Sequence, residues 1–288
     1  MNYRTDLALE AHELSGGGKD GIICSSEKAG QLRIHKMHIT TEQAAERLGK
    51  PTGRYITLEG LPLTDNFRDV KKQIETIGNE IYPLLPVDGT ILVIGIGNAD
   101  ITPDSLGPKS ADTVIATRHI RGEIARSAGL DGLRPTAVLS PGVLGQTGIE
   151  VGEIILSLAE SIHPSAVIAI DALASRSLSH LGKTIQLSDS GIAPGSGIGN
   201  NRLKLSRETL GIPVVGIGMP TVVDCTTLAA DLLGENADST DISEIDGNLM
   251  VTPREIDLLT ERASKLIGMA VNCAIQRNYS FEELAALV

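Results

Sequence analysis

Three apolar runs that end in glycine or aspartate constrain this chain more than any other feature. They are TILVIGIGN at 90–98, SAVIAIDAL at 165–173 and IPVVGIGMPTVVD at 212–224. An uninterrupted apolar strand bounded by turn residues is buried on both faces, which is the habit of parallel sheets. The helix-like stretch EVGEIILSLAESIH precedes the second run, and a glycine-rich segment, 191–201, precedes the third. Strands alternating with such segments imply right-handed crossovers. The expected fold class is therefore α/β, a mostly parallel central sheet with helices on both faces. TAVLSPGVLG and TIQLSDSG can add strands to it.

The first third reads as additional N-terminal α+β elements. RIHKMHIT and GRYITLEGLPL have strand character. Thr40 with Gln43 resembles a capping box that opens a helix through TEQAAERLGK. Phe67, Val70, Ile74, Ile77 and Ile81 recur at helical spacing. Residues 1–30 contain GGGKDG and read as a mobile arm. At the other end, Arg254 to Arg277 reads as a long helix, and Ser280 before Phe281, Glu282 and Glu283 reads as the cap of a short one.

Charge and composition narrow the partners. With 25 basic against 36 acidic side chains the net charge is −11, which repels a phosphate backbone and disfavours direct nucleic acid binding. Four Tyr, two Phe and no Trp leave little for stacking on bases. Cys24, Cys225 and Cys273 are an odd number with no C-x-x-C, against a disulfide framework or a cysteine zinc site. The N-terminus carries acids where a signal peptide needs an apolar stretch, and no run reaches the roughly 18 apolar residues of a membrane span. A cytoplasmic protein is expected, with no membrane contact.

In GIGNADITPDSLGP the third glycine of a dinucleotide fingerprint is replaced by Asp100, a carboxylate where a pyrophosphate would sit. Asp104 lies just past the carboxyl end of one expected central strand and Asp171 at the end of another, the edge at which open α/β sheets bind ligands. Two carboxylates there can divide acid and base work, or each can simply cap a helix, and the pattern leaves both open. Cys225 near a helix start is either a nucleophile or a small buried residue. His35 and His38, three apart in a strand, face opposite sides and do not form a shared metal site. Segment 191–201 is either a substrate-gripping or a plain surface loop.

RTDLALEAHE, GIGNADITPDSLGP, VIAIDALASR, SDSGIAPGSGIGN and GIPVVGIGMPTVVD together resemble the germination protease family of spore-forming Firmicutes, as far as about Asp224. The resemblance implies an endopeptidase that degrades the small acid-soluble proteins of the spore in the forespore or spore core. It also implies a fold similar to the hydrogenase-maturation endopeptidases. Asp104 and Asp171 correspond to the acids of those enzymes. The late strand has no histidine, so the acids are expected to be a catalytic pair, with no metal and no cofactor. Gly97 and Asn98, with Gly195 and Gly197 of the glycine-rich loop, are expected to bind substrate or the oxyanion.

The family implies a homotetrameric zymogen that removes its own N-terminal segment. Thr5, Asp6, Leu7, Ala8 and Glu10 are similar to its substrate pattern, which places the cut at Asp6–Leu7. That leaves 1–6 as propeptide and 7–288 as a single endopeptidase domain. The arm is expected to fray before cleavage, and lower pH to promote it. The alternatives are a metal-dependent maturation-type peptidase using the same acids as ligands, and a protein that binds peptide or nucleotide in the crevice without cleaving.

Overall fold

The computed structural model describes residues 4–61, 63, 69–120, 122–127, 129–193, 204–233 and 249–288. Its strands are β1 (Ile22–Ala29), β2 (Leu32–Ile39), β3 (Gly53–Glu59), β4 (Ile91–Gly95), β5 (Thr136–Leu139), β6 (Ala166–Ser175), β7 (Thr184–Ser188), β8 (Val214–Asp224) and β9 (Met250–Val251). The helices are α1 (Ala8–Leu14), α2 (Glu42–Leu48), α3 (Val70–Ile81), α4 (Leu106–Asp112), α5 (Gly122–Ser127), α6 (Leu144–Thr147), α7 (Val151–Ile162), α8 (Arg207–Leu210), α9 (Cys225–Leu233), α10 (Ile256–Ile275) and α11 (Phe281–Ala285).

One sheet runs in the order β1-β2-β3-β7-β8-β6-β4-β5, with β9 beside β8. The three apolar runs became β4, β6 and β8, and with β5 they form the parallel half. β1, β2, β3 and β7 form an antiparallel half that joins at the β7–β8 pair. The α/β class stands, and the antiparallel half contains the N-terminal α+β elements read from the sequence.

Alternation along each parallel strand assigns its two faces. Ile91 and Val93 of β4 join Ile168, Ile217, the α3 residues Ile74 and Ile77, and the α10 residues Leu266 and Ile267 in one core. Leu92 and Ile94 turn the other way, onto Val167, Ala169 and the α7 residues Val151 and Ile155. A third cluster joins Ala8 and Ala11 of α1 to Ala44, Ala45 and Leu48 of α2 and to Ile39 and Tyr55 beneath them.

Three readings need correction. Residues 1–30 are not a loose arm throughout: α1 is packed into the third cluster, and β1 pairs with β2 along its length. The glycines at 16–18 only connect the two, and Leu7 and Ala8 are fully buried. The cap of α2 is Thr41, one residue later than expected, because its hydroxyl accepts the Ala44 N–H at 3.3 Å. The strand at 53–63 stops at Glu59. Phe67 lies outside the described residues. At the C-terminus the expected cap holds: Ser280 Oγ accepts the Glu283 N–H, and Glu283 accepts the Ser280 N–H at 2.7 Å.

Helix α4 starts against the ends of β4 and β6. A Cβ on Gly107 would run into the main-chain carbonyls of Ile96 and Ile170, so only glycine lets the helix come this close. Gly107→Ala is expected to cost about 1–3 kcal/mol by overpacking, read as a lower urea midpoint at unchanged slope.

Candidate active site

Past β4 the chain turns through Gly97 and Asn98 and comes back in a 3-10 turn, Thr102–Asp104. Gly97 has φ +124°, and a side chain on it would collide with the main-chain carbonyl of Asp104. That close approach brings the Asp104 carboxylate under the loop, where Oδ2 accepts the Asn98 N–H at 2.7 Å. Asp171 lies in β6 opposite Gly218 of β8, is 5% exposed, and accepts the Ala172 N–H at 2.8 Å. The two aspartates line one cleft of about 520 Å³, along with Gly97 and Asn98.

Asp6 also lines that cleft. The segment before α1 is extended and held at nearly every polar atom. Asp6 N–H donates to the Ala174 carbonyl at 2.9 Å, and Ala174 N–H donates to Asp6 Oδ2 at 2.8 Å, continuing the edge of β6. Lys50 Nζ donates to the Thr5 carbonyl at 2.9 Å. Gln186 Nε2 donates to the Asp6 carbonyl at 3.1 Å, and its Oε1 accepts the Ala8 N–H at 2.7 Å. Upstream, Arg4 pairs with Asp224 at 3.3 Å. Burial pushes the Lys50 ammonium below its ordinary value, against the opposing pull of Asp6 and Glu10.

Just beyond the extended segment, Glu10 is sunk into a polar socket. It accepts N–H groups from Arg176 at 2.7 Å and Ser177 at 3.0 Å, pairs with His180 Nδ1 at 2.6 Å, and takes the Thr5 hydroxyl. The other ring nitrogen of His180 meets Glu59 at 3.0 Å, and Glu59 also meets His35 at 3.1 Å. The Glu10 and Glu59 hydrogen bonds raise the His180 pKa from 6.5 to about 10.

The sequence-read residues Asp104, Asp171, Gly97, Asn98 and Asp6 therefore share one cleft, with Leu7 buried next to it. The Asn98 N–H is engaged by Asp104. Gly195 and Gly197 lie outside the described residues. Cys225 opens α9, at the end of the strand as read. Among the described residues no three His, Cys, Asp or Glu side chains are grouped to hold a metal ion. Lys50, Gln186 and His180 were not singled out from sequence. Gln186 left one faint signal, an amide between Ile185 and Leu187 in an otherwise buried strand.

The germination protease family matches residues 6–234, a span that includes Asp6 and both cleft aspartates. This chain belongs to the germination protease family. The germination protease of Clostridium perfringens is 38% identical, with 98% of each chain covered. That of Clostridium tetani is 37% identical over 99% of this chain and 98% of its own. That of Priestia megaterium is 32% identical over 99% of this chain and 96% of its own. The likeness to these relatives thus continues past Asp224, where the resemblance read from the sequence ended. Among solved structures, a NiFe hydrogenase maturation protease from Thermococcus kodakarensis matches with TM-score 0.38 and 17% identity, covering 67% of this chain and 98% of that one. Family membership makes the chain a peptidase with a role in spores. No helix among the described residues is long and apolar enough to cross a membrane.

Proposed function

We propose that this peptidase is a self-processing endopeptidase with an aspartate pair, Asp104 and Asp171, whose first target is its own Asp6–Leu7 bond. The observation that carries this reading is the position of Asp6: the residue before the expected cut lies in the cleft that both aspartates line. Leu7 has extended backbone, φ −77° and ψ 123°, and the helix begins only at Ala8, so the bond is offered in the conformation a peptidase needs.

One carboxylate takes a proton from water as its oxygen adds to the Asp6 carbonyl carbon. The other gives a proton to the Leu7 nitrogen as the C–N bond breaks. The products are the Asp6 carboxylate and a new amino terminus at Leu7. Small acid-soluble spore proteins carrying the Thr-acid-apolar-Ala-x-Glu pattern are the substrates in this reading, with a homotetrameric zymogen made in the forespore and acting in the spore core.

Incubation of the full chain at mildly acidic pH is expected to yield a product starting at Leu7, seen by mass spectrometry. The same rate is expected after exhaustive chelation. Loss of activity restored by one divalent ion would instead support the metal-dependent alternative, in which the same acids are ligands. A chain that stays full length yet cleaves added substrate would refute the zymogen reading.

A further inference from the structure

Gln186 lies in the middle of β7, between Thr57 of β3 and Gly218 of β8. Its neighbours Ile185 and Leu187 point into the core beneath α3 and α10, so its own side chain points to the opposite face, where it is 8% exposed. Both polar ends of this buried carboxamide meet the N-terminal segment. Nε2 donates to the Asp6 carbonyl oxygen and Oε1 accepts the Ala8 N–H. A carbonyl can only accept and a main-chain N–H can only donate, so the partners themselves fix which way the amide points. The Leu7 N–H, on the other side of the same peptide, is held by Thr5 Oγ1 at 3.1 Å.

We infer that Gln186 is a catalytic residue for self-cleavage, its Nε2–H being the donor that receives the Asp6 carbonyl oxygen as it becomes an oxyanion. The inference rests on the proposal that Asp6–Leu7 is cut. When water adds to the carbonyl carbon, the C=O π pair moves onto the oxygen that Nε2 already contacts. When the tetrahedral intermediate collapses, that pair re-forms the carbonyl and the leaving nitrogen takes a proton. Charge on the oxygen is greatest between those events, so this hydrogen bond is stronger in the transition state than in the ground state, the condition for accelerating the step. The loop amide of Asn98 is already held by Asp104, whereas the carboxamide Nε2 contacts this oxygen directly. The Ala8 contact aims the donor by fixing the other end of the amide.

The competing role is a plain tether, and the test separates the two. Gln186→Glu keeps an acceptor for Ala8 and replaces the donor with a carboxylate oxygen. Gln186→Met keeps the chain length and removes both groups without adding charge, so it serves if the Glu variant fails to fold. Self-processing of each full chain is followed by mass spectrometry over a pH series, beside its thermal midpoint. Both variants are expected to process on the order of 10²–10³-fold more slowly than wild type. The ratio of Gln186→Glu to wild-type rate should climb as pH falls toward about 4.3, where a protonated carboxyl regains a donor. The Gln186→Met ratio should stay flat. Wild-type rates in either folded variant overturn the inference while leaving self-cleavage standing. Slowing that tracks lost thermal stability, with no recovery of the Glu variant in acid, assigns a tether and also overturns it. A wild-type chain that never yields a Leu7 terminus removes the bond itself, and both readings fall together.

Discussion

Asp171→Asn and Asp104→Asn are each expected to slow cleavage of the Asp6–Leu7 bond and of added substrate by orders of magnitude, while the thermal midpoint stays near that of wild type. Asparagine keeps the size of the side chain and an oxygen that can still accept the N–H of Asn98 or Ala172. What it loses is the proton that must be taken from water or given to the leaving nitrogen. Removal of a positioned acid or base costs about 10²–10⁴-fold in rate. Single-turnover processing, followed over days for the variants, measures that range directly. Near-normal processing by either folded variant would remove that aspartate from the mechanism.

His180→Ala is expected to lower stability more than Gly107→Ala or either aspartate variant. The imidazole bridges Glu10, whose side chain is 1% exposed, and Glu59. Without it a buried carboxylate keeps its main-chain donors but has lost its cation, a change that costs about 3–5 kcal/mol when one partner of a buried pair is removed. The sign of its pH dependence follows from three shifts. Burial pushes Glu10 up, but hydrogen bonds from His180, Thr5 and the N–H groups of Arg176 and Ser177 outweigh it and hold it below 4.5. His180 likewise holds Glu59 below 4.5.

The carboxylate share of stability is complete above 4.5 and is lost as pH falls through the lowered folded values. The His180 share is complete below 6.5 and is lost as pH rises from there to about 10. The gap between wild type and variant, from urea unfolding, should be widest between those limits and shrink on either side. A gap that stays constant from pH 6.5 to 10 would show that His180 is not charged in the fold. With His180 charged and Glu10 ionised in mild acid, α1 is expected to stay seated, so any acid promotion of the proposed processing is expected to act on the cleft.

The parallel half of the sheet was legible because β4, β6 and β8 are buried on both faces and so must be apolar at almost every position. β1 was not, because Ile22 is its one buried residue and IICSSEKA has no alternation to read. Its partner β2 supplies the register instead. That the two aspartates share one cleft was legible for a similar reason, since the ends of adjacent parallel strands meet at one edge of the sheet. Lys50, Gln186 and His180 were hidden because nothing in their local sequence sets them apart from other polar residues. Their meaning comes from partners 45, 180 and 170 positions away, which no periodicity encodes.

The grip on Arg4 would give the proposed cut a direction in time. Before hydrolysis, Arg4 reaches Asp224 and the hydroxyl of Thr227 as part of the same chain, at the high local concentration, about millimolar, that a short tether confers. After the proposed cut, residues 1–6 would be a separate peptide held only by non-covalent contacts such as those of Arg4 and Asp6. Asp224, whose side chain is fully buried, retains Thr226 and Thr227 but loses the guanidinium, and water can enter where it lay. Resealing the chain would require a dilute peptide to return, expel that water and restore the ion pair before any bond could re-form, so under the proposed self-cleavage the segment would act as a ratchet that advances once.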